Sequence, residues 1–410
     1  MTTSAELLPE PSGVASLPGF ILLFSSRLLP GFNGFSSAPD GFIPIPEATG
    51  TAMEKWRDMA QTHVLGPAFI REARLARHSL GRIDLANAAE GEPQHADISL
   101  LTHVAGVALW EVWLPAPRQA FDPARWAEWL DIDQADSVAA RIWNRLEATN
   151  QRIAGTRDFG AYLPLSLIRL PGADLDAWLV THAKQVVSLL WRDRVARPLK
   201  PDVVAAELAR DTCVRAGGIT LVGRRSALDL QDWSDETVAD AELLELPPRS
   251  TLPFLITLEL LCIERAVLQH LYDQLARSGP QSIEELLALK QEAMNGLEEY
   301  YGTTLANTRF NDVVAKSAED ALGIVDLFEA VSDRLETVSF TLTTSYQQRM
   351  TALQFWLTVV FGATEIGFIA ASIATWYYRS GLVMVLAWTI GAAAAAGAIL
   401  FALLRRKLAL

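Results

Sequence analysis

Cysteine is almost absent: Cys213 and Cys262 are the only two in 410 residues, far apart and outside any CxxC pattern. That excludes a disulfide scaffold or a thiolate metal centre and predicts two reduced, buried, apolar thiols. Histidine is scarce too. His63, His78, His95, His103, His182 and His270 show no HExxH or other close ligand spacing. Gly217, Gly218 and Gly223 lack the Lys-Ser/Thr of a phosphate loop, and no Gly-x-Ser-x-Gly elbow occurs, so no enzyme chemistry is expected. Basic residues are outnumbered, 35 against 48 acidic, for a net charge of −13. A nucleic acid polymer or an anionic lipid surface is therefore excluded as the main partner of the soluble part.

Charge is missing most conspicuously from the last sixty residues. Two apolar runs, 353–378 and 382–404, are separated only by Arg379, Ser380 and Gly381. Each exceeds the roughly 20 residues a helix needs to cross a bilayer core of about 30 Å. Arg405, Arg406 and Lys407 follow the second run and Arg349 precedes the first, which places both termini on the cytoplasmic side of an inner (cytoplasmic) membrane, multi-pass. Residues 1–18 have no basic segment followed by an apolar core, so no cleaved signal is expected.

The soluble part reads in two halves. Residues 1–233 alternate strand-like runs (19–29, 98–114, 161–170, 217–230) with helical ones (123–146, 173–194), which predicts a cytoplasmic α/β domain. Residues 234–310 form an acidic helical region, with helices over 252–278 and 282–301; Glu259, Glu264, Glu284 and Glu285 are among its carboxylates. A solvated helix face is the plain reading of that charge, and oxygen ligands for Mg²⁺ or Ca²⁺ the functional one. Residues 311–352 predict a stalk helix continuing into the first span. Val314, Ala318, Ala321, Val325, Phe328, Val331, Leu335, Val338 and Leu342 advance in steps of three or four, a stripe that calls for neighbouring copies. Gly323 is the one interruption of this helix before the membrane, and residues 337–345, β-branched and hydroxyl-rich, are its weak point.

Residues 353–378 form the first, pore-lining span, 382–404 the second, and 405–410 a basic cytoplasmic tail. On the first, Thr351, Gln354, Thr358, Glu365 and Ser372 fall in a wedge of roughly 60°, and Phe361 and Phe368 share that face. A polar stripe either bonds a neighbouring helix or lines a pore, where hydroxyl and amide groups replace ion hydration and Glu365 supplies a carboxylate ring. Such a carboxylate is the candidate metal-contacting group.

This plan resembles the CorA-type metal-ion transporter superfamily, which includes the zinc-transporting ZntB branch. Gln348-Arg349-Met350 followed by Leu357-Thr358 is similar to that family's approach to its pore. The resemblance implies a symmetric pentamer, a pore along the first span, and Mg²⁺ or another divalent cation as transported or regulatory ion. The family closes the outer mouth with Gly-Met-Asn, whereas this chain has Thr375-Trp376-Tyr377 followed by the cationic Arg379. Two function classes stay open: a homo-oligomeric cation channel or transporter of atypical selectivity, or an effector gated by a small regulatory ligand such as a nucleotide, which permeabilises or depolarises the membrane.

Overall fold

The computed structural model describes residues 12–32, 34–35, 39–45, 75–85, 88–170, 174–193, 198–214, 216–232, 251–278, 309–378 and 382–408, with single residues between 50 and 64 and between 284 and 287. The chain divides into two compact units. One comprises Met1–Ser278 and Leu287–Arg334; the other comprises Gly279–Leu286 and Leu335–Leu410.

The first unit is built on a sheet. Its strands are β1 (Ser12–Arg27), β2 (Leu75–Asp84), β3 (His95–His103), β4 (Val107–Pro115), β5 (Gln119–Phe121), β6 (Tyr162–Leu170), β7 (Gly218–Val222) and β8 (Ala227–Asp232). They lie in the order β2-β3-β4-β1-β6-β8-β7, with β5 paired to β1. Every pairing is antiparallel except β6 with β8. The predicted α/β domain is thus present, with a mainly antiparallel sheet. The run 98–114 is not one strand but the β3–β4 hairpin, turned at Gly106 with φ 74°. The run 217–230 likewise divides into β7 and β8.

Four helices are interleaved with the later strands: α1 (Pro123–Trp129) and α2 (Val138–Ala154) before β6, α3 (Leu175–Trp191) and α4 (Pro201–Leu208) after it. The expected single helix over 123–146 is two, because Ser137 caps a fresh N-terminus, accepting from the Ala140 amide at 3.0 Å. Even-numbered strand residues such as Phe20, Leu22, Phe24, Leu100, Trp110 and Val112 form one core with Trp126, Trp143, Leu146 and Trp178 of these helices. Alternation by two sends Ile21, Leu23, Leu101 and Leu109 to the opposite face, equally buried. Helix α5 (Leu252–Ser278) packs on β1 and β4. Gly19 is where close approach demands glycine: a Cβ there would sit 2.3 Å from the Trp113 ring.

A buried charge network lies on that second face. Arg57 and Arg77 both donate to Glu111, Arg77 also donates to Glu259 of α5 at 2.5 and 3.1 Å, and Arg57 reaches Ser99 Oγ at 3.1 Å. Glu111, Glu259 and Glu264 are each 1% exposed, so the two glutamates of α5 lie on neither a solvated face nor a cation-collecting one. Burial pushes the Glu259 carboxyl up to about 8, with Glu111 adding to the shift and Arg77 opposing it. Burial would also raise Glu111, but Arg57 and Arg77 hold it below its usual range.

The two signs differ. Glu259 holds its proton more tightly folded than unfolded, so its contribution to stability is present when acidic and is lost as pH rises from about 4 toward the folded value. Glu111 contributes at neutral pH and loses that contribution as pH falls through its lowered folded value. Replacement of Glu259 by Gln is expected to flatten the fall in melting temperature between pH 5 and 8. Melting scans of both proteins check this; identical pH slopes would remove Glu259 as the cause.

Cys262 is buried, its thiol pushed up to about 12 by burial, whereas Cys213 is only half-buried. Helix α6 (Arg309–Leu322) packs on α5, burying Val314 and Ala318. This part of the stalk stripe is therefore satisfied within one chain and needs no neighbouring copy. Gly323, at φ 67°, ends α6. Helix α7 then runs unbroken over Ile324–Tyr378, 55 residues or about 80 Å at 1.5 Å per residue. The helix is interrupted at Gly323, the one interruption expected there, and it continues through the weak point 337–345, where Thr341 and Thr343 donate to carbonyls four residues back.

In the second unit, helix α8 (Leu382–Leu408) lies antiparallel beside the apolar part of α7. Phe355 and Trp356 meet Phe401 at ring distances of 6.3 and 5.6 Å. The predicted helix over 282–301 lies outside the described residues.

Candidate functional site: the polar stripe of the first apolar helix

Helices α7 and α8 each contain an 18-residue stretch apolar enough to cross a bilayer, of mean hydropathy 1.6 and 2.1. Only 11% and 6% of these stretches is buried within the chain. A helix that apolar and that uncovered is compatible with insertion into a membrane.

Small residues decide which face of α7 meets α8. A Cβ on Gly367 would lie 3.1 Å from Ala393 Cβ and 3.2 Å from the Thr389 carbonyl oxygen; one on Gly362 would lie 3.1 Å from Leu400. A Cβ on Gly397 would meet Ala363 at 3.5 Å. Val359 is buried on the same side. Backbones approach closely through these positions, as expected when packing rather than the hydrophobic effect joins two apolar helices.

The sequence-predicted stripe occupies the remaining surface. Thr351, Gln354, Thr358, Phe361, Glu365, Phe368 and Ser372 are all exposed in the single chain. Their spacing alternates three and four, the period that keeps one seam facing a partner along a long helix. Glu365 bonds no described residue of α8, so a hydrogen bond across the hairpin does not account for it.

The hydroxyls on this face have a defined orientation. Thr351, Thr358 and Ser372 donate to the carbonyls of Gln347, Gln354 and Phe368 at 2.8, 2.8 and 2.9 Å. Each hydroxyl hydrogen is consumed inside the helix, and the oxygen lone pairs are left as acceptors. An acceptor surface suits cations better than anions.

At the end of α7, Thr375 donates to Ala371 at 2.7 Å; the side chains of Trp376 and Tyr377, and those of Arg405, Arg406 and Lys407, lie outside the described residues. Among the described residues no group of three His, Cys, Asp or Glu side chains could hold a metal ion. A site centred on Glu365 therefore needs carboxylates from more than one chain to coordinate a cation by side chains alone.

No family model matches the chain, and neither do the curated proteins or the solved structures with which it was compared.

Proposed function

We propose that the protein is a CorA-like, homo-oligomeric membrane channel for cations, in which the polar stripe of α7 from each copy faces a shared axis. The observation that carries this reading is the division of α7 into two faces. Its small residues serve α8, while Glu365, Gln354 and the hydroxyl acceptors are left uncovered by their own chain. Exposing a carboxylate to lipid costs roughly 3 kcal/mol on insertion scales, and a shared aqueous path avoids that cost. Five copies, with both termini in the cytoplasm and α8 toward lipid, is the arrangement that fits the resemblance of the chain to two-span transporters. The chain itself carries no catalytic step in this reading. With Trp376 and Tyr377 at the outer mouth and Arg379 beside them, discrimination among hydrated divalent cations is expected to be poor.

Mass measurement in a mild detergent tests the assembly. A ring of about five times the 44.9 kDa chain is expected. A stable monomer would contradict the shared axis and the pore built on it.

A further inference from the structure

A cavity of about 1090 Å³ opens in the first unit, where the end of β1, the start of β6, the β7–β8 turn and α5 converge. That volume slightly exceeds the roughly 300–1,000 Å³ of small-molecule sites. Arg27, Arg192, Arg224, Arg225 and Arg265 line it, against only two carboxylates, Asp158 and Asp273. Five arginines and no lysine converge here on a chain whose net charge is −13. Among the described residues, no carboxylate forms an ion pair with Arg27, Arg224, Arg225 or Arg265. Arginines inside strands β2 and β6 of the sheet are matched: Arg77 with Glu111 and Glu259, Arg82 with Asp97, Arg169 with Asp229.

Local structure is bent to place these cations. Arg192 caps the C-terminus of α3 at φ 54° and ψ 41°, a left-handed position that glycine normally fills; it is the one non-glycine residue with positive φ among the described residues. Its guanidinium lies 5.4 Å over the Tyr162 ring. Arg224 and Arg225 form the two-residue tip of the β7–β8 hairpin, closed by the Gly223 amide on the Ser226 carbonyl at 2.9 Å. Neither has a positive φ, so the turn holds the two arginines side by side without backbone strain. Residues that contradict local preference, as Arg192 does, mark functional positions more often than structural ones.

The wall is rigid and aromatic. Tyr162 stacks on Phe24 at 4.8 Å, and Phe159 packs against Phe24 and Trp143. The loop before β6 is pinned by Asn150, which donates to the Thr156 and Asp158 carbonyls at 3.0 Å each, and by Ser25, which accepts from the Ala161 amide at 2.8 Å. Ser26 is buried on the cavity wall, and its hydroxyl has no hydrogen-bond partner among the described residues.

The structure assigns this cavity as a binding site for a nucleotide-class ligand bearing at least two phosphates. The guanidinium forks would take the phosphates bidentately, and Phe159, which lines the cavity, would take a planar base. The assignment does not rest on the channel reading, since binding is measured whether or not the protein conducts. A ligand here is what gating of the membrane unit would require.

The test is isothermal titration of the full chain in detergent with ATP, cyclic di-AMP, inorganic pyrophosphate and adenosine. ATP or cyclic di-AMP is expected to bind, pyrophosphate at least about tenfold more weakly, and adenosine not at all. Charged hydrogen bonds of ordinary strength predict that the double variant Arg224→Ala/Arg225→Ala loses about a hundredfold in affinity with an unchanged melting temperature. Arg224→Lys/Arg225→Lys, which keeps charge but not the fork, should fall between. Failure of both nucleotides to bind at millimolar concentration, or equal affinity in the double-Ala variant, would overturn the site. Pyrophosphate binding as tightly as ATP would overturn the nucleotide assignment.

Discussion

Substitution of Glu365 by Gln is expected to leave insertion and assembly intact while cation flux drops several-fold or loses its preference over anions. Gln keeps the size and much of the hydrogen bonding of the side chain but removes its charge. If each copy contributes one carboxylate to a ring, the field attracting cations comes mainly from this position, because every other polar group on the stripe is neutral. The hydroxyl oxygens of Thr351, Thr358 and Ser372 would still accept, so conduction should fall rather than vanish. Glu365→Lys should go further and repel cations or admit anions. Flux and particle mass measured on the same preparations separate conduction from assembly. Unchanged conductance and ion preference in Glu365→Gln would remove this residue from the mechanism.

The second large effect concerns stability. Glu111 is 1% exposed and accepts from both Arg57 and Arg77. Replacing it with Ala leaves two buried guanidinium groups without the carboxylate they share, and breaking a buried pair from one side costs about 3–5 kcal/mol. By contrast, Glu92→Ala removes a partly exposed pair with Arg141 and should cost about 1 kcal/mol or less. Melting temperatures of the two variants side by side check the contrast. The network joins β2 and β4 of the sheet to α5, so Glu111→Ala should also loosen the seating of that helix. Equal, small losses in the two variants would show that the buried network adds nothing beyond a surface pair.

Much of this was legible from residue order. The boundaries of α5 and β6, the end of α7 and the start of α8 follow from apolar runs bounded by Gly or Pro, while α7 begins well before its apolar run and α8 continues through Arg405, Arg406 and Lys407. The hairpins did not separate because nothing in 98–114 or 217–230 looks like an ordinary two-residue turn: Val104-Ala105-Gly106 and Arg224-Arg225 connect strands without Asn-Gly or Asp-Gly. Strand β2 carries no clear strand pattern in the sequence because Arg77, His78, Arg82 and Asp84 interrupt its apolar residues. Two of those residues turn inward or along the sheet to meet Glu111, Glu259 and Asp97.

Glu259 could not be distinguished from a solvated carboxylate, since its partner Arg77 lies 182 residues away in sequence. The stripe on α7 was readable from helical spacing. Its separation from the α8-facing side was not, because that depends on Gly362, Gly367 and Gly397 lying opposite particular partners. The arginine pocket left no motif at all: its five cations come from four separate places in the sequence, the adjacent Arg224 and Arg225 being one of them, and only the fold brings them together.

The central claim is that the uncovered stripe of α7 conducts cations, and flux from liposomes holding the purified full chain tests it most directly. With potassium, magnesium and chloride gradients compared, cation flux well above that of empty liposomes is expected, with little discrimination between the two cations and little chloride movement. A protein that inserts and assembles yet passes no cation faster than empty liposomes would contradict it, as would strong selectivity for magnesium contradict the reading of the outer mouth.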